Sequence, residues 1–339
     1  MNSKELVKAS LSGTNTRRIP RQMWYLPWAE ENYPAEIESI RKNYPDDIVY
    51  VGGVLKENGF VESGDPFAVG SYTDPWGCVF ENCQRGIIGE VKQPLMQDEE
   101  WSDAGNVHIP EEWLSFDVGQ VNSDIKAYLS DKYVIAGRLA RPFEQLQFIR
   151  GTENLFIDLM MQPVKFMEFK ERMHDFHCRL LKKWAQTDVD ALMMMDDWGS
   201  QRSLLINPAL WDELFAPMYR DYIDIAHSAG KKMFMHSDGY TLDIIPKLID
   251  MGLDAINSQI FCMGIDKLKQ YRGEITFWGE IDRQHLIPNG TEKEIVDAVT
   301  SVYENLYDNG HCIAQCEFGA AANPRNVELI YETWDKLTG

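Results

Sequence analysis

From about residue 190 onward, short apolar runs alternate with longer segments whose apolar positions follow helical spacing. The runs are ALMMMDDWG (191–199), KKMFMHSDG (231–239), DAINSQI (254–260), ITFWGEID (275–282) and HCIAQCEFG (311–319). Helices are predicted after these runs, at 208–229, 242–251, 265–271, 292–307 and 325–337. Strands that alternate with helices pair in parallel through right-handed crossovers. The pattern therefore predicts an α/β fold, either a closed (β/α)8 TIM barrel or a doubly wound sheet.

The upstream half adds strands at 47–54 and 133–142 and helices at 143–150 and 154–184. With these elements the total comes closer to a barrel than to an open sheet. Residues 72–101 are rich in glycine and turn residues and alternate as a hairpin does, which predicts a β-hairpin insertion over one barrel face. We expect a single barrel domain over 1–339, with an N-terminal extension over about 1–45.

Charge and cysteine usage narrow the function classes. The net charge of −20 disfavours nucleic acid and anionic lipid as partners, because phosphate-binding surfaces need clustered Lys and Arg. The chain contains no apolar window long enough for a membrane span and no secretory leader pattern at its start, so we expect a cytoplasmic protein. Six cysteines at irregular spacing, without a CxxC pair, indicate neither a disulfide framework nor a zinc ribbon.

Candidate chemistry lies at the carboxyl ends of the strands, where parallel α/β folds place their active sites. The polar or reactive residues that close the apolar runs are Arg138, Arg141, Asp196, Asp197, Trp198, His236, Asp238, Asn257, Gln259, Glu280, Asp282, Cys316 and Glu317. Zinc accepts imidazole, thiolate and carboxylate ligands, so His236, Cys316 and either Asp238 or Glu280 could hold one. The alternative reading, a hydrogen-bonded core histidine and a small buried cysteine, stays open at this point.

Two further groups carry a functional and a structural interpretation. Asp196 and Asp197 are adjacent on a strand and point to opposite sides, so at most one faces the barrel axis while the other caps or anchors a loop. Trp24 and Trp198 could wall an apolar substrate or pack in the core.

The segment 196–259, from DDWGSQRS to DAINSQ, followed by ITFWGEIDRQHLIPNGTEKEI (275–295), resembles the uroporphyrinogen decarboxylase superfamily. RRIPRQMW (17–24) and DPWGCVFE (74–81) resemble it more loosely. The resemblance implies a (β/α)8 barrel. Decarboxylases of this superfamily hold porphyrinogen carboxylates with an RQAGR-type segment, whereas this chain reads PRQMWYLPW (20–28). It has Arg21 and Gln22 but lacks AGR.

The other branch, the corrinoid-linked methyltransferases, binds zinc through a His-x-Cys pair and a distant Cys. His236 matches that histidine and Cys316 the distant cysteine, while Asp238 replaces the middle cysteine. The replacement leaves three outcomes: zinc bound through Asp238, zinc completed by Glu280, or no zinc. An oxygen ligand makes zinc more Lewis acidic, which favours polarising an ether or alcohol oxygen over making a nucleophilic thiolate of a thiol acceptor.

The resemblance thus implies a methyltransferase that moves a methyl group between a small methoxy or N-methyl compound and the cobalt of a separate corrinoid protein. No cobalamin-binding Asp-x-His-x-x-Gly segment is present, so methylcobalamin or cob(I)alamin would be carried by that partner. A homodimer is a further expected partner arrangement. The expected catalytic residues are Asp197, Glu280 and Asp196; the substrate-binding residues Trp24, Trp198, Tyr240, Arg138 and Gln259; the zinc ligands His236, Asp238, Cys316 and Glu280.

Two other functions remain as alternatives. The first is a cofactor-free decarboxylase of the uroporphyrinogen decarboxylase type, with Arg21, Arg138 and Arg141 as carboxylate anchors. The second is a barrel that only binds a small molecule. Metal content distinguishes the methyltransferase from the decarboxylase.

Overall fold

Eight parallel strands form a barrel in the computed structural model, which describes residues 1–15, 17–56 and 62–339. The strands in chain order are β1 (Arg21–Tyr25), β2 (Ile48–Val51), β3 (Gly70–Thr73), β4 (Val79–Asn82), β5 (Glu90–Val91), β6 (Tyr133–Ala136), β7 (Ala191–Met195), β8 (Lys232–Ser237), β9 (Ala255–Ser258), β10 (Thr276–Trp278) and β11 (Cys312–Phe318). The barrel order is β1-β11-β10-β9-β8-β7-β6-β2. Its two ends meet where the Asp47 amide donates to the Arg21 carbonyl at 2.9 Å. The predicted (β/α)8 barrel is confirmed.

Helices cover the outside of the barrel. They are α1 (Ser3–Leu11), α2 (Pro27–Asn32), α3 (Pro34–Asn43), α4 (Val118–Tyr128), α5 (Pro142–Arg150), α6 (Thr152–Met161), α7 (Val164–Trp184), α8 (Pro208–Leu214), α9 (Ala216–Ser228), α10 (Ile245–Asp250), α11 (Ile260–Met263), α12 (Ile265–Leu268), α13 (Leu286–Asn289), α14 (Glu292–Leu306) and α15 (Pro324–Thr338). Short 3-10 turns lie at Ala104–Asn106, Glu111–Ser115 and Lys269–Tyr271. Across the described ranges, each helix is too short or too polar to span a lipid bilayer.

Proline sets several helix boundaries. The side chains of Asn207 and Asn323 accept hydrogen bonds from the first turns of α8 and α15, each with proline at the first position. The helix predicted over 154–184 divides at Gln162, which is left-handed (φ 48°) and precedes Pro163. The one predicted over 208–229 divides at Phe215, because Pro217 lacks an amide proton to continue the ladder.

The segment predicted as an N-terminal extension contains part of the barrel itself. RQMWY (21–25) forms β1, which pairs with β11 along its whole length. Val7 of α1 is fully buried against the residues inside the barrel, so α1 covers one end of it. Sequence reasoning missed β1 because the run begins with two polar residues, and two short helices, each begun by a proline, separate it from the next strand.

The strands separate two hydrophobic layers. The barrel interior is filled by Ile48, Tyr133, Ile135, Ala191, Met193, Phe234, Ala255, Trp278 and Ile313. The intervening residues, such as Met194 and Met235, face the helices in a larger outer core. Because side chains alternate along a strand, this inner layer fixes which residues beyond it point into the barrel.

The predicted hairpin region contains the antiparallel strands β3, β4 and β5. These strands run from Gly70 to Val91, so the antiparallel sheet begins slightly before and ends before the predicted range of 72–101.

Candidate active site at the barrel mouth

The carboxyl ends of the barrel strands, here called the mouth, gather polar side chains from neighbouring strands. Phe234 faces the barrel interior, so alternation turns His236 and then Asp238 inward as well. The register pairs His236 with Asn257 of β9. On β10 the inward Trp278 is followed two residues later by Glu280.

His236 is held in one orientation. Its Nδ1 lies 2.6 Å from Oδ1 of Asn257, and the Asn257 amide nitrogen donates to the carbonyl of Trp278. That second bond assigns the amide oxygen to the histidine side, so Nδ1 carries the proton and donates. The lone pair of Nε2 therefore faces the mouth.

Two carboxylates face this nitrogen. Oδ1 of Asp197 and Oδ1 of Asp238 each lie 3.6 Å from Nε2 of His236, and one donor atom of each of the three residues falls within 4.8 Å of the others. In a tetrahedral zinc site with bonds of about 2.0–2.2 Å, neighbouring nitrogen and oxygen ligands lie about 3.4 Å apart. Oδ1 of Asp238 is buried and has no hydrogen-bond partner among the described residues. A cation between these atoms would supply that partner, so the residues fit a metal ion.

Arg283 contacts three acidic side chains at the mouth. It donates to Oδ2 of Asp238 and, at 2.9 Å, to Oε2 of Glu317, and its Nε lies 3.5 Å from Oε1 of Glu280. Glu280 is 1% exposed, and within the part of the chain that the structure describes neither of its carboxylate oxygens has a hydrogen-bond partner. Burial, together with the charges of Asp238 and Glu317 and against that of Arg283, raises the pKa of Glu280 to about 8. Glu280 is thus protonated near neutral pH and can donate a proton.

A cavity of about 220 Å³ opens beside Glu280. Gln259, Phe261, Cys262, Arg283 and Gln201 are among its lining residues. Its volume falls below the roughly 300–1,000 Å³ typical of drug-sized ligand pockets. The cavity therefore suits a small substrate or part of one.

Aromatic and apolar side chains border the polar cluster. The ring of Trp24 lies 5.2 Å from that of His236, and Leu139 and Met195 pack with it against the inner core. Tyr50 of β2 is 40% exposed, and its hydroxyl interacts with Trp24 and Gln22. These residues form an apolar wall on one side of the mouth.

Several predicted site residues lie elsewhere. Cys316 shares its side of the sheet with Met23, faces the outer core and donates to the hydroxyl of Tyr331 at 3.5 Å. It is not part of the metal-ligating cluster at the mouth. Burial raises the pKa of its thiol to about 12, which keeps it protonated. Glu280 also stands outside that cluster, where Asp197 occupies the third position.

Asp196 and Trp198 face the outer layer. Oδ1 of Asp196 accepts from the amides of Phe143 and Glu144 at 2.8 Å, and Oδ2 accepts from the Tyr219 hydroxyl. Trp198 is fully buried, stacks on Phe143 at 4.0 Å and donates to the Tyr219 hydroxyl. Their expected catalytic and substrate-binding roles therefore do not fit, because neither side chain reaches the mouth.

Three other residues predicted to bind substrate lie around the His236 cluster and not within it. Arg138 lies over the ring of Trp113 at 4.8 Å. Tyr240 is half-buried beyond β8, below the ammonium group of Lys267. Gln259 accepts from the amide of Gly239 at 3.1 Å and lines the cavity.

Sequence reasoning missed two charged residues and one tyrosine. Arg283 stands three residues after Glu280, a spacing that could have suggested their ion pair. Glu144 follows β6 and pairs with Arg141, and burial together with Asp197 and Asp238 raises its pKa to about 8. Tyr50 had no distinguishing signal, since its outward or inward direction depends on the strand register.

The family model described as uroporphyrinogen decarboxylase (URO-D) matches residues 90–337. No curated protein sequence matches the chain. Among solved structures, a methyltransferase from Methanosarcina mazei is similar with a TM-score of 0.66 and 12% identity, covering 100% of both chains. At that identity the similarity shows a shared fold.

Weaker structural similarities include 3-keto-D-glucoside 4-epimerase from E. coli, with a TM-score of 0.39, 11% identity and coverage of 72% of this chain and 97% of that one. A zinc-bound IOLI protein also has a TM-score of 0.39, with 10% identity over 93% and 97% of the two chains. Neither similarity supports an inference about function. The family match covers most of the chain, and the barrel agrees with it: the chain belongs to the uroporphyrinogen decarboxylase family.

Proposed function

We propose that this protein is a methyltransferase that moves a methyl group between a small methylated compound and the cobalt of a separate corrinoid protein, with zinc bound at the mouth. The observation that carries the proposal is the placement of Nε2 of His236 at 3.6 Å from an oxygen of both Asp197 and Asp238. The fold similarity to a methyltransferase supports it.

His236, Asp238 and Asp197 would hold the zinc ion, and Asn257 would fix the histidine tautomer that binds it. The bound ion would supply Lewis acidity at the leaving oxygen or nitrogen of the methyl donor. This ligand set differs from the one predicted from sequence, because Asp197 takes the place of Cys316 and Glu280.

Glu280 is the proposed proton donor. In transfer from the substrate to the partner's corrinoid, the bond between the methyl carbon and its oxygen or nitrogen would break, and that leaving atom would take the proton of Glu280. Its burial beside the cavity keeps the acid protonated until the substrate arrives. Arg283 positions the neighbouring carboxylates, and Trp24 and Tyr50 reduce the access of water.

The decarboxylase alternative receives less support. Arg21 is buried on the outer side of β1, where it pairs with Asp335 and lies over Tyr44, so it cannot anchor a substrate carboxylate at the mouth. Arg283 is already paired with carboxylates. The small cavity and the acidic mouth both disfavour a tetrapyrrole with many carboxylates.

Metal analysis and a transfer assay test the proposal together. Protein purified without chelator should contain about one zinc bound at the mouth, and this zinc should be absent from the His236→Ala variant. Free cob(I)alamin incubated with the protein and a panel of methoxylated and N-methylated compounds should form methylcobalamin, detected by its absorption. Metal-free protein that releases CO₂ from uroporphyrinogen instead would support the decarboxylase.

A further inference from the structure

A second cluster of metal-ligating side chains lies on the outer helical layer, away from the mouth. His174 and Cys178 are one turn apart on α7, and Asp221 faces them from α9. Residues four apart on a helix share one face, so the two α7 side chains point together at α9. One donor atom from each of the three lies within 4.8 Å of the others.

The distances approach those of a tetrahedral site. Nε2 of His174 lies 2.9 Å from Oδ2 of Asp221 and 3.7 Å from Sγ of Cys178. With zinc bonds of about 2.0–2.3 Å, the corresponding distances between ligand atoms are about 3.4 and 3.6 Å. A small movement of the exposed Asp221 side chain would therefore open the cluster for an ion.

The surroundings fix the histidine. Nδ1 of His174 lies 3.1 Å from the hydroxyl of Tyr222, which is fully buried. A hydrogen bond to the second ring nitrogen orients a histidine and directs its other nitrogen at a metal ion. His174 therefore presents Nε2 towards Cys178 and Asp221.

The local charge favours a cation. Burial, followed by the charge of Asp221 and with smaller contributions from Asp175 and Glu171, raises the pKa of the Cys178 thiol to about 12, against the charge of Lys182. A divalent cation reverses this effect, because it deprotonates the thiol that it binds.

An open groove of about 600 Å³ runs beside the cluster, and Cys178, Asp221, Lys182 and Asp224 are among its lining residues. An ion held by three protein ligands would have room on this side for a water molecule or a small ligand as its fourth ligand. The combination of nitrogen, sulfur and oxygen donors selects zinc-like metals over magnesium or calcium.

We propose that His174, Cys178 and Asp221 form a second divalent-metal site of the zinc class, which links α7 to α9 on the outside of the barrel. This site does not depend on the function proposed for the mouth. It would stabilise the packing of two long helices that flank β7 and β8.

Cobalt(II) titration of the chelator-treated His236→Ala variant tests this site, because that variant lacks the central ligand of the mouth. We expect about one equivalent of Co²⁺ to bind with a sulfur-to-cobalt charge-transfer absorption. Adding Cys178→Ala should abolish the absorption, whereas adding Cys83→Ala, which removes an exposed cysteine in the loop between β4 and β5, should preserve it. Absence of the band, or its persistence in the Cys178→Ala variant, would overturn the proposal.

Alkylation of the unmutated chain gives a second measurement that does not depend on the folding of a variant. Zn²⁺ should slow labelling of Cys178 by about tenfold or more, as measured by peptide mapping, because a metal-bound thiolate is a poorer nucleophile. Labelling of Cys83 should not change. Equal rates at Cys178 with and without Zn²⁺ would contradict the proposal.

Discussion

The inward and outward sides of the same strand ends perform different tasks. On the inward side, Glu280 borders a cavity, and Oδ1 of Asp238 and both carboxylate oxygens of Glu280 have no hydrogen-bond partner among the residues that the structure describes. On the outward side, Asp196 accepts three hydrogen bonds from protein groups, and Cys316 donates to the Tyr331 hydroxyl. Polar groups with unmet hydrogen-bonding capacity indicate a ligand, whereas fully paired ones indicate structure.

Adjacent residues can therefore differ completely in role. Asp196 is fully buried and Asp197 has a side chain that is 38% exposed, although one peptide bond separates them. The strand periodicity of two sends each to a different layer of the barrel. Variants that remove one inward and one outward residue test whether this division holds.

The largest expected difference concerns metal binding. The His236→Ala variant should lose the zinc held at the mouth, because it removes the only nitrogen ligand of that cluster. The Cys316→Ala variant should retain it, because its sulfur faces Tyr331. The zinc content of both variants is measured by elemental analysis in a Cys178→Ala background, which removes the second metal-ligating cluster on α7 and α9. Loss of zinc on Cys316→Ala substitution would place that thiol in the site after all.

The next largest effect is expected from the buried acid at the mouth. Glu280→Gln should reduce kcat for methyl transfer by about 10²–10⁴-fold, because it removes a general acid while keeping the shape of the side chain. In the unmodified protein the rate should fall as pH rises through about 8, where Glu280 loses its proton. Glu274→Gln, at an exposed carboxylate just before β10, is the control and should change neither kcat nor the pH dependence of the rate. A flat pH profile would contradict the role of Glu280.

A smaller effect, on stability, separates Asp196 from Asp197. Asp196→Ala leaves two buried amides and a buried hydroxyl without their acceptor, which should lower the free energy of unfolding by about 3 kcal/mol or more. Asp197→Ala should cost less than about 1 kcal/mol, since only the Asp238 amide loses an acceptor and the site is partly exposed. Urea denaturation measures both. Equal decreases in the free energy of unfolding would contradict the assignment of a structural role to Asp196 and a site role to Asp197.

The smallest expected effect concerns the residue behind the histidine. Asn257→Ala should weaken zinc binding by about 10–100-fold, as expected for a residue that orients a metal ligand. Ser258→Ala, at the next position on β9 and on the outward side, should leave zinc affinity unchanged. Competition with a chelator measures both affinities. Similar affinities in both variants would remove Asn257 from the site.

The sequence by itself determined the architecture and the location of the site. Alternating strand and helix patterns identified seven of the eight barrel strands. Because parallel strands end at one edge, the same pattern brought His236, Asp238 and Glu280 into consideration together. The eighth strand, Arg21–Tyr25, was missed because its run begins with two polar residues; its pairing with β11, almost 300 residues away in the chain, identifies it as part of the barrel.

Only the tertiary structure decided which of these residues meet. A shift of one residue in strand register would have placed Cys316 and Asp196 at the mouth in place of Glu317 and Asp197. Nothing local to either strand fixes that register. Packing against the helices settled it, since Met23, Tyr331 and Phe143 occupy the outer layer. His236 has its functional environment because Asn257, on the next strand, turns its lone pair towards two aspartates.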